Sequence, residues 1–380
     1  MTNTMNFPPS SDTTDRLNTP GDLMAAVPGI LGFYPHESII IVGMHAGTTG
    51  GNLTLGPVMR ADLNHWQDLP NALNTPSAAD CEVFFAFLVT RSPESPTVGD
   101  LIDALYQIHD ENGDCLIHAC WVLSEIATGS HYDLCFGEVP PYWVSGAVPC
   151  IALSPAMQPL IENGGLPALT RDDTVDYFAK IALDDDTRDT FDGACQLAYC
   201  RGQDLHDRLE RQLPGPAEAV QDADRALAYA NETPLVNPYD DKDLTTVWAE
   251  SEGDPVSNDV VAVMTCLSRS RLRDSIVVTA LAQPQRAGTL LLFIARVSSG
   301  VIRANALSVW AIVAMSAGLY SWASAALKNA QVELEGHGLS AALLKGLAIG
   351  GYDRLLLAVK TGSEEQRDML NLPPAPTTGG

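Results

Sequence analysis

Residues 81–123, CEVFFAFLVTRSPESPTVGDLIDALYQIHDENGDCLIHACWVL, decide the reading of the fold. Cys81–Val89 is an unbroken apolar run rich in Phe and Val, the pattern of a strand buried on both faces. Thr97 then stands as a cap before Val98, Leu101, Ile102, Leu105 and Ile108, which recur at helical spacing until Asn112-Gly113 supplies a stop. Cys115–Leu123 is a second buried run. Strand, helix and strand at this spacing make a βαβ unit with a right-handed crossover.

Upstream, Ile39–Met44 is another β-branched run, entered from the turn-rich GFYPHES at 32–38. The loop GTTGGN at 47–52 predicts a hairpin into Leu53–Leu55 and Val58–Leu63. Thr19-Pro20, with Asp22 in the first turn, predicts a capped helix that buries Leu23, Met24, Ala26 and Val27 and stops at Pro28-Gly29. Downstream, Tyr132–Phe136 and Trp143–Ile151 are shorter strand candidates, and Ser154-Pro155 opens a helix.

From Arg171 the pattern turns helical and acidic, with a breaker at Leu213-Pro214-Gly215-Pro216 and a loop at Asn231–Asp243. Helices are predicted over Leu244–Glu250, Asp259–Leu267, Ser270–Leu281, Thr289–Val297, Ala304–Ala317, Tyr320–Glu333 and Ser340–Ile349. The expected fold class is therefore an α/β N-terminal domain with a mixed, partly parallel sheet, joined to an all-α C-terminal helical domain. The expected layout is a tail at 1–17, the α/β domain at 18–200, a linker at 201–243, the helical domain at 244–360 and a tail at 361–380.

The chain has 380 residues, 47 acidic against 22 basic, for a formal net charge of -25. Such a surface repels phosphate backbones and anionic lipid headgroups, so neither nucleic acid nor membrane is an expected partner. The first fifteen residues hold no apolar run of the signal-peptide kind, which places the chain in the cytoplasm with its eight cysteines reduced, most of them as small core residues. The uncharged Ala304–Leu327 has the length to span a bilayer, but its Ala, Ser and Asn305 content and the break at Gly318 read as two buried helices.

The run TPGDLMAAVPGILGFYPHESIIIVGM at 19–44 resembles the opening of the actinobacterial domain-of-unknown-function family 4192, with Leu31, Gly32, Phe33, Pro35, Ser38, Val42 and Gly43 at matching positions. Ser154–Arg171 and Ser270–Asp274 resemble later segments of that family. Relatives carry a Trp-Trp-Ser-Tyr-x-Cys stretch with further cysteines, where this chain has only His131-Tyr132-Asp133-Leu134-Cys135. The resemblance implies no established activity. A weaker likeness to a tetratricopeptide repeat lies in Ala311, Gly318, Tyr320, Ala323, Leu327 and Ala330, where small residues let two helices approach; an ordinary αα-hairpin explains the spacing as well.

No nucleotide loop, hydrolase elbow or zincin helix is present in the sequence. His36-Glu37-Ser38 occupies a turn where binding groups are often presented, although adjacent side chains point apart and turn bonding explains Ser38 equally. Cys115, His118, Cys120, His131 and Cys135 are the best thiol and imidazole set, but without a Cys-x-x-Cys pair no metal or cofactor is expected. Arg60 with Asp62, or Glu125, fits an acid, base or anion clamp as well as an ion pair. The leading expectation is a non-catalytic interaction or scaffold protein that docks an unknown protein partner through exposed Tyr320 and Trp322. The rival is a small-molecule binding protein or enzyme with its pocket at the strand ends, near Tyr34, His36, Ser38, Glu125 and His131.

Overall fold

The computed structural model describes residues 19–46, 53–69, 73, 76–109, 113–237 and 256–373. The expected tail at 1–17, the 47–52 loop and the helix at Leu244–Glu250 lie outside them. The chain forms two compact units. One holds the described residues up to Ile161 with Leu166–Arg171 and Gly346–Gly350; the other holds Glu162–Gly165, Asp172–Lys345 and the described residues from Gly351 onward.

The first unit is built on a six-stranded sheet in the order β2-β1-β3-β4-β5-β6. Its strands are β1 (Ser38–Ala46), β2 (Leu53–Asp62), β3 (Val83–Val89), β4 (Ile117–Leu123), β5 (His131–Gly137) and β6 (Ser145–Ala147). β3 and β4 pair in parallel across the helix α2 (Pro96–Tyr106), as the βαβ pattern predicts, and every other pairing is antiparallel. Alternation sorts the apolar runs onto two faces. Ile39, Ile41, Phe84, Ala86 and Leu88 pack with Val98, Leu101 and Leu105 of α2. Phe85, Phe87, Trp121 and Trp143 stack on the opposite face, where the Trp121 indole donates to the Trp143 carbonyl at 2.8 Å. Each fully buried ring of this kind contributes on the order of 2–3 kcal/mol.

Thr19 caps α1 (Pro20–Leu31) in a reciprocal box: its hydroxyl accepts from the Asp22 N–H at 3.2 Å, while its own N–H donates to the Asp22 carboxylate at 3.0 Å. The helix does not stop at Pro28-Gly29; it runs through Pro28 and ends at Gly32, which takes φ +78°. Gly29 answers a packing need instead of a turn, because a Cβ there would lie 2.3 Å from the Ala156 carbonyl oxygen. The cap of α2 is Ser95, two residues before the expected Thr97, with Pro96 at the first helical position. The strand expected over Trp143–Ile151 shrinks to Ser145–Ala147, because Pro140, Pro141 and Pro149 remove ladder donors on either side.

The second unit is helical. It contains α3 (Asp185–Glu210), α4 (Pro216–Tyr229), α5 (Asn258–Leu267), α6 (Ser270–Ala282), α7 (Pro284–Val297), α8 (Gly300–Ser316), α9 (Tyr320–Glu333), the start of α10 (Gly338–Ile349) and α11 (Tyr352–Met369). The uncharged Ala304–Leu327 run is two helices: α8 and α9 fold back on each other about Gly318, at φ +75°. No helix among the described residues is long and apolar enough to cross a membrane.

Two expected boundaries move. α3 runs unbroken through the division placed at 200/201, because its acidic N-terminus is capped by Asp184 and its small residues Ala194, Ala198 and Gly202 supply the buried side. α11 also continues nine residues into the tail expected from 361, since the residues it buries there, Ser363 and Arg367, are polar. Arg367 reaches the Asp224 carboxylate at 2.8 Å and the Ser275 carbonyl at 3.0 Å. The Ser363 hydroxyl donates to the Asp274 carbonyl at 2.5 Å and accepts from the Val278 N–H at 3.2 Å. Those are the two groups that a closed turn of α6 would join to each other.

Candidate functional site

The registers Ser38↔Asp62, Ser38↔Val89, Val89↔Leu123 and Leu123↔Tyr132 align one edge of the first unit's sheet. The residues just beyond these positions converge there from different loops. Glu37 is the pivot. It is a non-glycine residue at φ +41°, a left-handed conformation that costs about 1–3 kcal/mol. Its carboxylate accepts from the Thr90 hydroxyl at 2.7 Å and the Arg91 N–H at 3.0 Å, and its carbonyl accepts from the Leu63 N–H at 3.0 Å. These bonds tie the start of β1 to the ends of β2 and β3 and hold the strained backbone in place.

Ser38 is buried beside it. Its hydroxyl donates to the His36 carbonyl at 2.6 Å and accepts from the Arg60 Nε–H at 2.9 Å. Arg60 also binds the Asp62 carboxylate at 2.5 Å and lies 5.9 Å from the centre of the Phe33 ring. The Arg91 guanidinium differs: it is 76% exposed, and its contact with Glu125 is 3.8 Å long. Tyr34 is half-buried, which raises its phenol pKa, and its N–H donates to the Ala168 carbonyl at 3.0 Å. His36 is exposed, and His131 faces Asp133 at 3.4 Å on exposed β5.

Tyr34, His36, Ser38, Glu125 and His131 are thus set along one edge, while Trp322 has no place in it. Trp322 is 1% exposed, packed edge-on against Tyr177 at 5.2 Å, and Tyr320 stacks on Tyr352 at 4.0 Å. The expected exposed aromatic pair is therefore corrected: Trp322 lies on the side that α9 buries with Ala323, Ala326, Leu327 and Ala330, while Lys328, Asn329, Gln331 and Glu333 keep partial contact with water. Sequence reasoning passed over Thr90 and Arg91, and took Glu37 only as part of the turn with His36 and Ser38. Their signal was the polar Thr90-Arg91 pair directly after an apolar strand.

The thiol and imidazole set does not converge. Cys115 bonds the Ile117 carbonyl at 3.0 Å, and His118 is exposed on β4. Cys120 and Cys135 lie on the neighbouring strands β4 and β5, beside an irregularity in their pairing. Among the described residues, no group of three or more His, Cys, Asp or Glu side chains is placed to hold a metal ion. All eight cysteines are free: Cys120 and Cys266 are fully buried, Cys81, Cys115 and Cys135 pack against the sheet unit's core as expected of most of them, and Cys150 and Cys200 are exposed.

In the second unit several polar groups are interior. Asn305 accepts through its side-chain oxygen from Arg273 at 2.7 Å and from His337 Nε2 at 2.9 Å, and donates to the Leu267 carbonyl at 2.7 Å. His337 Nε2 therefore carries the proton, and Nδ1 faces the Ser340 hydroxyl at 2.9 Å as acceptor. Burial, reinforced by the Arg273 charge, lowers the His337 pKa and keeps the ring neutral. Serine, histidine and asparagine in a row resemble a catalytic relay, but Ser340 is wholly buried and the chain of bonds serves to position the start of α10. Glu333 similarly holds Arg303 at 3.2 Å, Lys180 at 3.1 Å and the Gly300 N–H at 2.6 Å.

Together these features define a two-unit protein: a mixed sheet with a clamped polar edge, and a helical unit organised around interior charge. The family model described as a domain of unknown function, DUF4192, matches residues 20–351, and the chain belongs to that family. No curated protein and no solved structure matches it.

Proposed function

We propose that the first unit's sheet edge binds a small metabolite bearing a carboxylate or phosphate group, held by the Arg91 guanidinium. The observation that carries this reading is Glu37, a strained residue fixed by three hydrogen bonds at the carboxyl end of the parallel pair β3 and β4. Strain of this kind gathers at ligand sites, and open α/β sheets bind ligands beyond the carboxyl ends of their strands. Arg91 supports the choice of ligand, since a planar guanidinium in water pairs bidentately with acidic oxygens.

A binding role fits the edge better than catalysis. The Ser38 hydroxyl is spent on the His36 carbonyl and on Arg60, so no imidazole stands against it as a base. Docking of a protein partner through Trp322 loses its anchor, because that ring lies in the helical core. The net charge of -25 opposes an acidic ligand at long range, so binding rests on short-range bonds at Arg91.

Thermal-shift and calorimetric titration against small mono- and dicarboxylates and phosphate esters tests the proposal. One ligand class is expected to raise the melting temperature in proportion to ln(1 + [L]/Kd), with Arg91→Ala losing that response while remaining folded. Absence of any shift across the series, or an equal shift in Arg91→Ala, overturns it.

A further inference from the structure

We propose that Cys120 and Cys135 form a redox modification site, a cross-strand dithiol that a peroxide closes into a disulfide. The geometry comes from an irregularity in the β4–β5 pairing. Cys120 stands opposite Phe136, the next pair is Trp121 with Leu134, and Cys135 is the extra residue left unopposed between them. A bulge of this kind re-aims a side chain. Here it brings Cys135 onto the same face as Phe136, against the core that contains Cys120, and Phe136 is fixed there edge-on to Tyr106 of α2 at 5.5 Å. The two thiols are thus cross-strand neighbours on one face of the β4–β5 pair.

The two thiols are chemically unequal. Cys120 is fully buried, and its neighbouring sulfur lowers the Cys135 pKa even though partial burial and Asp133 push the other way. Burial and the neighbouring sulfur raise the Cys120 pKa. Cys135, half-exposed, is the attacking sulfur, and Cys120 is the resolving one. Burial pushes Cys81 and Cys195 up to about 11, which leaves them poor nucleophiles. In the first step the Cys135 thiolate attacks a peroxide oxygen, an S–O bond forms, the O–O bond breaks and hydroxide leaves. The Cys120 sulfur then attacks the sulfenic sulfur: the S–S bond forms, the S–O bond breaks, and the hydroxyl takes the Cys120 proton and departs as water. Two thiols lose two electrons, and one hydrogen peroxide becomes two waters.

The test treats the reduced full chain with one equivalent of hydrogen peroxide, alkylates the remaining thiols under denaturing conditions and maps the peptides without reduction. Expected is a linked peptide joining Cys120 to Cys135, the loss of both from the alkylated pool and their recovery with dithiothreitol. Cys120→Ala should leave Cys135 as a sulfenic acid that a cyclic 1,3-dione traps. Oxidation of Cys135 with Cys120 still alkylated in the wild type overturns the proposal. So does an untouched Cys135 while exposed Cys150 and Cys200 react.

Discussion

In the sheet unit the described charged side chains keep at least partial contact with water, and Glu37, Arg60, Asp62 and Arg91 meet at one edge, while the interior is largely aliphatic and aromatic. In the helical unit Asp224, Arg273, Arg303 and Arg367 are buried, and each reaches a partner on another segment of the chain. The same residue types do opposite work in the two places. At the rim a charge is hydrated and replaceable, and it adds little to the stability of the fold. In the interior a charge is costly unless its partner is in place, so it fixes which helices meet and in what register.

The strongest way to break this contrast is Arg367→Ala. It leaves the Asp224 carboxylate buried with only the Thr279 hydroxyl, at 2.6 Å, and is expected to cost about 3–5 kcal/mol in denaturant unfolding. Gly29→Ala tests the sheet unit by shape alone. The new methyl meets backbone at Ala156, with an expected loss of about 1–3 kcal/mol. Acid should separate the units further. His337 has a lowered pKa in the fold, so below about pH 6.5 the unfolded chain binds a proton that the folded chain refuses. Stability then falls with falling pH by no more than about 1.4 kcal/mol per pH unit from this site, and His337→Gln should remove that slope in pH-dependent melting. Thr19→Ala, which opens the box on α1, is expected to cost about 1 kcal/mol. Smallest of all, Arg91→Ala should change stability by less than about 0.5 kcal/mol, because its ion pair with Glu125 is long and exposed. If Arg91→Ala destabilises as much as Arg367→Ala, the distinction between rim and interior fails.

The division between legible and hidden follows the same line. The βαβ unit was readable because the apolar runs at 81–89 and 115–123 have a strand's continuity and the segment between them has a helix's period. Thr19 was readable because a capping box is a local pattern. Pro28 misled because a single helix breaker was outweighed by packing on either side of it, and Ser95 was overlooked because Thr97 offers the same chemistry two residues later. Trp322 could not be assigned a face, since the residues from Ser321 to Ala326 around it are all Ala or Ser and mark no apolar stripe. The edge was legible as a place, through the turn at 34–38, but its clamp was not, because Glu37 and Thr90 are 53 residues apart and meet only through strand register. α11 was hidden for a different reason: hydrophobic patterning looks for apolar anchors, and in the stretch from 361 onward this helix is fastened by Ser363 and Arg367.

The family match ends at 351, one residue before α11 begins, yet the hydroxyl of Ser363 stands between Asp274 and Val278 and the charge of Arg367 answers Asp224. The boundary of sequence kinship is therefore not the boundary of cooperative folding. During synthesis the helical unit must wait for residues near 367 to emerge before α6 and Asp224 are satisfied, so it closes from its end. Anyone cutting expression fragments by family limits would remove the fastening and keep the parts it fastens, and an insoluble product at 20–351 would say nothing about the sheet unit.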